Sequence, residues 1–202
     1  MIVDERLVTY INSLDTGNTE ILDEIEREAL ETYVPIVRKE MQSFLKLILS
    51  IKRPARILEV GTAVGFSAIL MAEYNPIPCE ITTIENYEKR IPIAKQNFVR
   101  AGKEKQITLL EGDAADILKE LREPFDFIFM DIMMPVMDGL EAARQIRTLN
   151  RKDTKEIPII AMTANAFQDD VRECIDAGMN AHIAKPIDIE KVKMTIFDIP
   201  HS

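Results

Sequence analysis

The apolar positions of the chain follow two different periods, and the change between them falls near residue 55. Before it, apolar residues recur three or four positions apart, as on one face of an α-helix, which predicts helices within residues 4–52. After it, short apolar runs alternate with amphipathic stretches. The runs predict six strands, at 55–60, 80–85, 106–112, 125–131, 157–163 and 181–186. The stretches predict helices near 65–74, 87–101, 113–122, 139–149, 167–177 and 188–197.

Strict alternation of strands and helices is typical of a parallel sheet with helices on both faces. We therefore predict an α/β, doubly wound fold of the Rossmann or flavodoxin-like type, with extra N-terminal helices. Gly102 and Gly178 lie where two of the predicted helices would end, as C-cap glycines do. In such sheets ligands bind beyond the carboxyl ends of the strands. Candidate chemistry is therefore expected directly after each strand.

Composition narrows the classes of partner. The 202 residues are 47% hydrophobic and 29% charged, as in an ordinary globular protein. A formal charge of −9 argues against a nucleic acid held by its phosphates, because that needs a basic face. No apolar run approaches the roughly 18 residues of a membrane span, so a membrane partner is not expected.

The N-terminal sequence and the cysteine usage predict a soluble, cytoplasmic protein. The N-terminus lacks the pattern of a secretory signal, and Cys79 and Cys174 lie far apart without metal-ligand spacing, as reduced thiols would. Two histidines and no tryptophan leave little imidazole or aromatic chemistry, and we expect no histidine-based catalytic site. The sequence carries no signal for an oligomeric state.

Acidic and glycine residues follow the first four predicted strands. Gly61 and Gly65, in EVGTAVGFS (59–67), allow a tight turn before a helix N-terminus. The second strand ends in Glu85, where a carboxylate can hold the hydroxyls of a ribose. Asp113 follows the third strand and Asp131 ends the fourth. Each acid alone could cap a helix or lie in solvent, but together they predict a nucleotide-cofactor site.

These stretches, ARILEVGTAVGFSAILMA, ITTIE, LLEGDA and FDFIFMD, resemble the class I S-adenosylmethionine-dependent O-methyltransferases, from about residue 30 to 131. The match is to the small catechol-type, metal-assisted family that includes bacterial tRNA-modifying members. It implies S-adenosylmethionine or S-adenosylhomocysteine as a small-molecule nucleoside ligand. The resemblance implies that Gly61 and Thr62 line the methionine part of the ligand, with Glu59 and Ser67 nearby and Gly65 in the turn. It also implies that Glu85 binds the ribose, that Asp113 and Ala114 lie near the adenine, and that Met41 covers the cofactor. Asp131 would be the first metal ligand and lie near the methyl group.

From Asp131 onward the chain resembles the receiver domains of two-component signalling, through DIMMPVMDG (131–139), IPIIAMTA (157–164) and AHIAKP (181–186). The resemblance implies that Asp131 accepts the phosphoryl group, that Thr163 contacts it and that Lys185 pairs with it. His182 falls at the position of the receiver's aromatic switch residue, and Pro186 follows the lysine as in that family.

Both resemblances leave the metal site incomplete. The sequence lacks the Asp-Asn pair and the hairpin that complete the methyltransferase site. It also lacks the acid pair that ends the first strand of a receiver, because Gly61 and Thr62 occupy those positions. We therefore expect that Mg²⁺ does not bind tightly, and that Asp131, Thr163 and Lys185 are catalytic remnants without activity.

The two resemblances meet in the strand at 125–131, whose type F-D-x-I-x-M-D both families share. Superposition of the two families predicts a six-stranded sheet in the order 3-2-1-4-5-6. We expect one domain over 1–202, made of N-terminal helices (1–54), a methyltransferase-like cofactor half (55–131) and a receiver-like half (125–197). The absence of a linker favours an engineered, recombinant chimera over a methyltransferase whose C-terminal half diverged. The expected function is retained S-adenosylmethionine binding without natural activity. The alternatives are a working O-methyltransferase and a phosphorylatable receiver.

Overall fold

The computed structural model describes residues 17–131, 139–149, 153–162 and 168–183. Its helices are α1 (Glu20–Glu31), α2 (Lys39–Lys52), α3 (Phe66–Tyr74), α4 (Ile91–Arg100), α5 (Ala114–Glu120), α6 (Gly139–Thr148) and α7 (Gln168–Asp176). Its strands are β1 (Arg56–Val60), β2 (Glu80–Glu85), β3 (Ile107–Glu111), β4 (Phe127–Asp131), β5 (Ile159–Met162) and β6 (Ala181–Ile183). A 3₁₀ turn covers Asp153–Lys155. The helices predicted before residue 17 and near 188–197 lie outside the described residues.

The strands form one parallel sheet in the order β3-β2-β1-β4-β5-β6. The predicted α/β parallel fold is confirmed for the order 3-2-1-4-5. The sixth strand is a three-residue edge strand that pairs with β5, and the rest of its predicted span, 184–186, lies outside the described residues. All strand ends that carry candidate chemistry therefore lie on one edge of the sheet.

The sheet divides the interior into two hydrophobic cores, because successive side chains of a strand point to opposite faces. The first core lies under α1 to α4 and receives Ile57, Phe127, Phe129 and Ile160 from the strands. The second lies under α5 to α7 and receives Leu58, Val60, Ile84, Ile128, Met130, Ile159 and Ala161. In the strands around β4, the residues predicted to be buried (Ile57, Phe127, Phe129, Ile159 and Ile160) are all buried, so this part of the prediction is confirmed.

Helix α3 is apolar on all sides, and residues 66–72 are buried. A helix of that composition requires cover on every face, and α1 and α2 pack over α3 on the side away from the sheet. This arrangement fixes the N-terminus of α3, and with it the loop that follows β1. Gly102 and Gly178 both have positive φ after α4 and α7, which confirms the predicted C-caps.

Two further predictions concern membrane-spanning segments and the two cysteine thiols. In the part of the chain that the structure describes, no helix has both the length and the apolar character needed to span a bilayer. Cys79 and Cys174 are both buried and form no disulfide.

Candidate functional site

The glycine loop (residues 61–65) connects β1 to α3 at the carboxyl edge of the sheet. Gly61 and Gly65 have φ of +103° and +85°, and Ala63 also has a positive φ, of +49°. The amides of Gly61 and Thr62 both donate to the carbonyl of Ile84 at 3.1 Å, and the amide of Gly65 donates to Thr62 at 2.8 Å. Positive φ favours glycine, so the sequence is matched to this turn at two of its three left-handed positions.

Glu85 ends β2 and holds the glycine loop from the side. One carboxylate oxygen accepts the amide of Ala63 at 2.7 Å, and the other accepts the amides of Asn86 at 3.1 Å and Tyr87 at 2.9 Å. An ionised carboxylate can accept about four hydrogen bonds. Glu85 is therefore a loop anchor with capacity for a further donor, such as a ribose hydroxyl.

A second carboxylate, Glu59, lies beneath the loop and is fully buried, at 0% exposure. The hydroxyls of Ser67 and Thr83 each donate to one of its oxygens, the second at 2.6 Å. Thr62 and Thr83 are also bonded, at 2.6 Å, and because Thr83 donates to Glu59, Thr62 donates to Thr83. The network joins β1, β2, the glycine loop and α3. Glu59 supports the loop from below and does not reach the surface.

Burial raises the pKa of Glu59 to about 7, because desolvation penalises the charged form. The hydrogen bonds from Ser67 and Thr83 oppose this rise, and the charges of Asp131 and Glu85 add to it. Asp131 and Glu85 thus lie close enough to Glu59 to act on it, and an edge that carries these carboxylates would favour a cationic ligand over an anionic one.

Asp131 ends β4 and lies half-buried beside the glycine loop. A Cβ at Gly61 would lie 2.8 Å from the Cβ of Asp131. Among the described residues, no group of three or more His, Cys, Asp or Glu side chains is arranged to bind a metal. Thr163, Lys185 and Pro186 lie outside the described residues. The backbone of His182, in β6, pairs with that of Ala161, in β5.

Three further cofactor residues that the resemblance implies have packing or capping contacts in the structure. Met41 packs in the first core with α1 and α2. Asp113 caps α5, its carboxylate accepting the amide of Ala115 at 2.8 Å, which is the alternative that its position left open. Ala114 packs in the second core, on the other face of the sheet from Met41.

Two residues of the site carried a signal that the sequence prediction did not use. Thr83 lies two positions before Glu85 and so on the same face of β2, where a buried polar residue suggests a partner. Asn97 lies in α4 among the buried positions Ile91, Ala94 and Phe98, and its amide bonds to the carbonyl of Val64 in the glycine loop. A polar residue inside an apolar stripe was the available signal in both cases.

Two protein families match the chain. The O-methyltransferase family matches residues 12–139, and the response regulator receiver domain matches residues 95–197. Each match covers more than half of the chain, and they overlap in a segment that includes β4.

Solved structures resemble the methyltransferase part. An O-methyltransferase from Bacillus cereus, in complex with S-adenosylhomocysteine, is 29% identical with a TM-score of 0.55, over 61% of this chain and 59% of that one. TomG from Streptomyces achromogenes, an O-methyltransferase of tomaymycin synthesis in complex with S-adenosylmethionine, is 29% identical with a TM-score of 0.55, over 64% and 62%.

Curated relatives resemble the receiver part. Probable histidine kinase 2 of Oryza sativa subsp. indica is 46% identical over 69 residues, which are 34% of this chain and 7% of the kinase. Probable histidine kinase 6 of Oryza sativa subsp. japonica is 27% identical over 180 residues, and this chain spans 18% of it. The chain is thus similar to a small part of each kinase. It belongs to the O-methyltransferase family in its N-terminal part and to the response regulator receiver family in its C-terminal part, the two joined in one sheet.

Proposed function

We propose that the chain binds S-adenosylmethionine or S-adenosylhomocysteine at the carboxyl ends of β1, β2 and β3. Support comes from the glycine loop and from the two similar methyltransferases that hold these molecules. The residues proposed to form or support the site are Met41, Glu59, Gly61, Thr62, Gly65, Ser67, Glu85, Asp113, Ala114 and Asp131. Of these, Glu59 acts by supporting the loop, since it is fully buried.

The arrangement of Glu85 carries the proposal. Its carboxylate is held by three backbone amides at the end of β2, so its position is fixed before any ligand arrives. A ribose has two adjacent hydroxyls, and a preformed carboxylate with an acceptor position left is suited to one or both of them. The negative field of the edge also suits the positively charged sulfonium of S-adenosylmethionine.

Metal-assisted methyl transfer does not form part of this proposal. The described residues provide Asp131 but no cluster of three potential ligands around it, and Mg²⁺ needs several oxygen ligands. The methyltransferase family match also ends at residue 139. These residues therefore do not fit the metal of the parent family, and we derive no step through it.

A second candidate function, phosphoryl acceptance by Asp131, follows from the receiver match over 95–197. Aspartyl phosphorylation needs a divalent cation to neutralise the phosphoryl oxygens. The positions at the end of β1 that would carry acids are Gly61 and Thr62. We therefore expect no saturable response to acetyl phosphate or beryllofluoride with Mg²⁺, and a saturable response lost in Asp131→Asn would favour this candidate.

We also infer that the chain was made by deliberate splicing within β4. The two family matches overlap there, and β4 pairs in continuous register with β1 on one side and β5 on the other. Divergence of one methyltransferase would have to produce three receiver motifs in order. A natural gene with the same junction within residues 125–131 would contradict this inference.

Titration calorimetry with S-adenosylhomocysteine tests the proposed binding. We expect weak binding by the parent chain and a loss of affinity of about tenfold or more in Glu85→Ala, because a buried hydrogen-bond acceptor is removed. Glu111→Ala is the matched control. Glu111 ends the next strand in register with Glu85, but it is exposed and paired with Lys95. No heat of binding in the parent, or equal affinities in the parent and Glu85→Ala, would refute the assignment.

A further inference from the structure

Asn97 is a buried amide on the otherwise apolar face of α4. It is 2% exposed, and it shares that face with Ile91, Ala94 and Phe98. Its amide nitrogen donates to the carbonyl of Val64 at 2.9 Å. A polar side chain in such a place is costly unless its hydrogen bonds are made, so the contact to Val64 is a requirement of the fold at this point.

The carbonyl of Val64 belongs to the glycine loop, which is therefore held from two sides. On one side the amide of Ala63 donates to Glu85. On the other side, Asn97 donates to the carbonyl of Val64. Its neighbour Phe98 packs against Gly65 so closely that a Cβ at Gly65 would lie 2.5 Å from the ring. Ala63 has a φ of +49°, which a residue with a side chain adopts only when its surroundings impose it.

The orientation of the Asn97 amide is set from outside. Arg100 donates to its carbonyl oxygen at 2.9 Å. Arginine can only donate and a backbone carbonyl can only accept, so the two partners of Asn97 allow one orientation of its amide. Arg100 is itself held by both oxygens of Glu28 at 2.8 Å and by Glu24 at 3.2 Å, both in α1.

We propose that Asn97 is a positioning residue for the glycine loop, oriented by Arg100 and by Glu28 of α1, so that helix α1 tunes affinity for the nucleoside cofactor. The relay runs from Glu28 through Arg100 and Asn97 to Val64. The effect on affinity rests on the proposed cofactor binding, whereas the effect on the loop does not.

Asn97→Asp isolates the link to the loop. The substitution keeps the size of the side chain and the acceptor for Arg100, but it replaces the donor to Val64 with a second acceptor. We expect the loop amides of Ala63 and Gly65 to exchange with solvent about tenfold faster, as measured by NMR, and S-adenosylhomocysteine to bind about tenfold more weakly. Arg100→Met should produce a smaller change of the same kind, about threefold, because it acts one step further away.

Asn75→Asp is the matched control. The Asn75 amide nitrogen also donates to two backbone carbonyls, of Pro54 at 2.8 Å and Ile77 at 3.0 Å, but outside the glycine loop. This variant should lower the melting temperature and leave both loop exchange and ligand affinity at parent values.

The two readouts separate the possible failures. Faster loop exchange without any ligand binding by the parent would support the relay and refute the proposed cofactor site. Unchanged loop exchange in Asn97→Asp would refute the relay, whatever the ligand does. If Asn97→Asp does not fold, Arg100→Met decides, because Arg100 lies at the surface: parent-like exchange and affinity there would overturn the proposal.

Discussion

Gly61 and Asp131 approach each other so closely that no side chain fits between them. A Cβ at Gly61 would lie 2.8 Å from the Cβ of Asp131, and Gly61 also has a φ of +103°. The glycine belongs to the methyltransferase part, and the aspartate ends the strand that both family matches include. The geometry of the glycine loop therefore depends on β4.

Gly61→Ala should destabilise the fold by about 3 kcal/mol, since it combines an unfavourable φ with a clash against a strand residue. Gly102→Ala is the matched control. Gly102 has a φ of +64° and nothing within 4 Å of the added Cβ, so it should lose only about 1 kcal/mol. Urea midpoints measure both. Equal losses would mean that the contact with Asp131 carries no energetic weight.

Glu59 should make stability depend on pH. Its folded pKa is raised to about 7 from an ordinary 4.5, so the folded state binds the proton more tightly than the unfolded state. Its contribution is complete below pH 4.5 and is lost as the pH rises through 7.

Glu59→Gln removes this titration and keeps the size of the side chain. Between pH 5 and 8, the free energy of unfolding of the parent should fall by about 2 kcal/mol more than that of the variant. Chemical denaturation at both pH values measures the difference. Parallel pH profiles for the parent and the variant would show that Glu59 does not titrate in this range.

A substitution at Ile160 tests whether the methyltransferase part and the receiver part share one hydrophobic core. This residue lies in β5, within the receiver match, yet packs at 0% exposure in the first core under α1 to α4. Ile160→Ala should cost about 3 kcal/mol in a single unfolding transition. Ile175→Ala, at a position 50% exposed, should change stability by about 0.5 kcal/mol or less. Two separate transitions would indicate two independently folding units.

No methyl transfer to catechols, caffeoyl esters or tRNA is expected. Such transfer in a metal-assisted enzyme needs a cation that also binds the substrate oxygens, and the described residues hold no ligand cluster for one. Radiolabelled methyl transfer from S-adenosylmethionine, with and without Mg²⁺, measures the activity. Turnover that Mg²⁺ stimulates and Asp131→Ala abolishes would contradict this expectation.

The predicted pairing of Asp131 with Lys185 stays a prediction, because Lys185 lies outside the described residues. If the partly buried pair forms, Lys185→Ala should cost about 3 kcal/mol, since it leaves one charge uncompensated. The double variant Asp131→Asn with Lys185→Met should recover much of that loss. Single variants with urea midpoints equal to that of the parent would show that the pair is not formed.

Strand positions, their order across β3-β2-β1-β4-β5 and the burial around β4 could be predicted from the sequence, because each follows from a local period or from the shared strand. Asp113 shows the limit of such reasoning. Its position fitted both a helix cap and an adenine contact; the structure contains the cap, and the adenine contact stays a prediction.

Side-chain hydrogen bonds between distant segments could not be predicted. Asp126 accepts the amides of Ala55 and Arg56 at 2.8 Å, across about 70 residues of sequence. Arg147 donates to the carbonyls of Thr154, Ile157 and Gly178 and to the side chain of Asn180. Burial lowers the pKa of Arg147. No local sequence pattern predicts these hydrogen bonds, because the partners come together only when the whole sheet and its helices pack.

The central place of β4 in the sheet also has a consequence for folding during synthesis. Until β5 has been synthesised, the backbone groups on one edge of β4 have no strand to pair with. Residues 127–130 also form a run of four apolar positions, all of which are buried in the folded chain. An uncovered edge of this kind pairs readily with other chains and leads to aggregation. Strand β5, which lies in the receiver match, therefore covers that edge and protects the chain from such pairing.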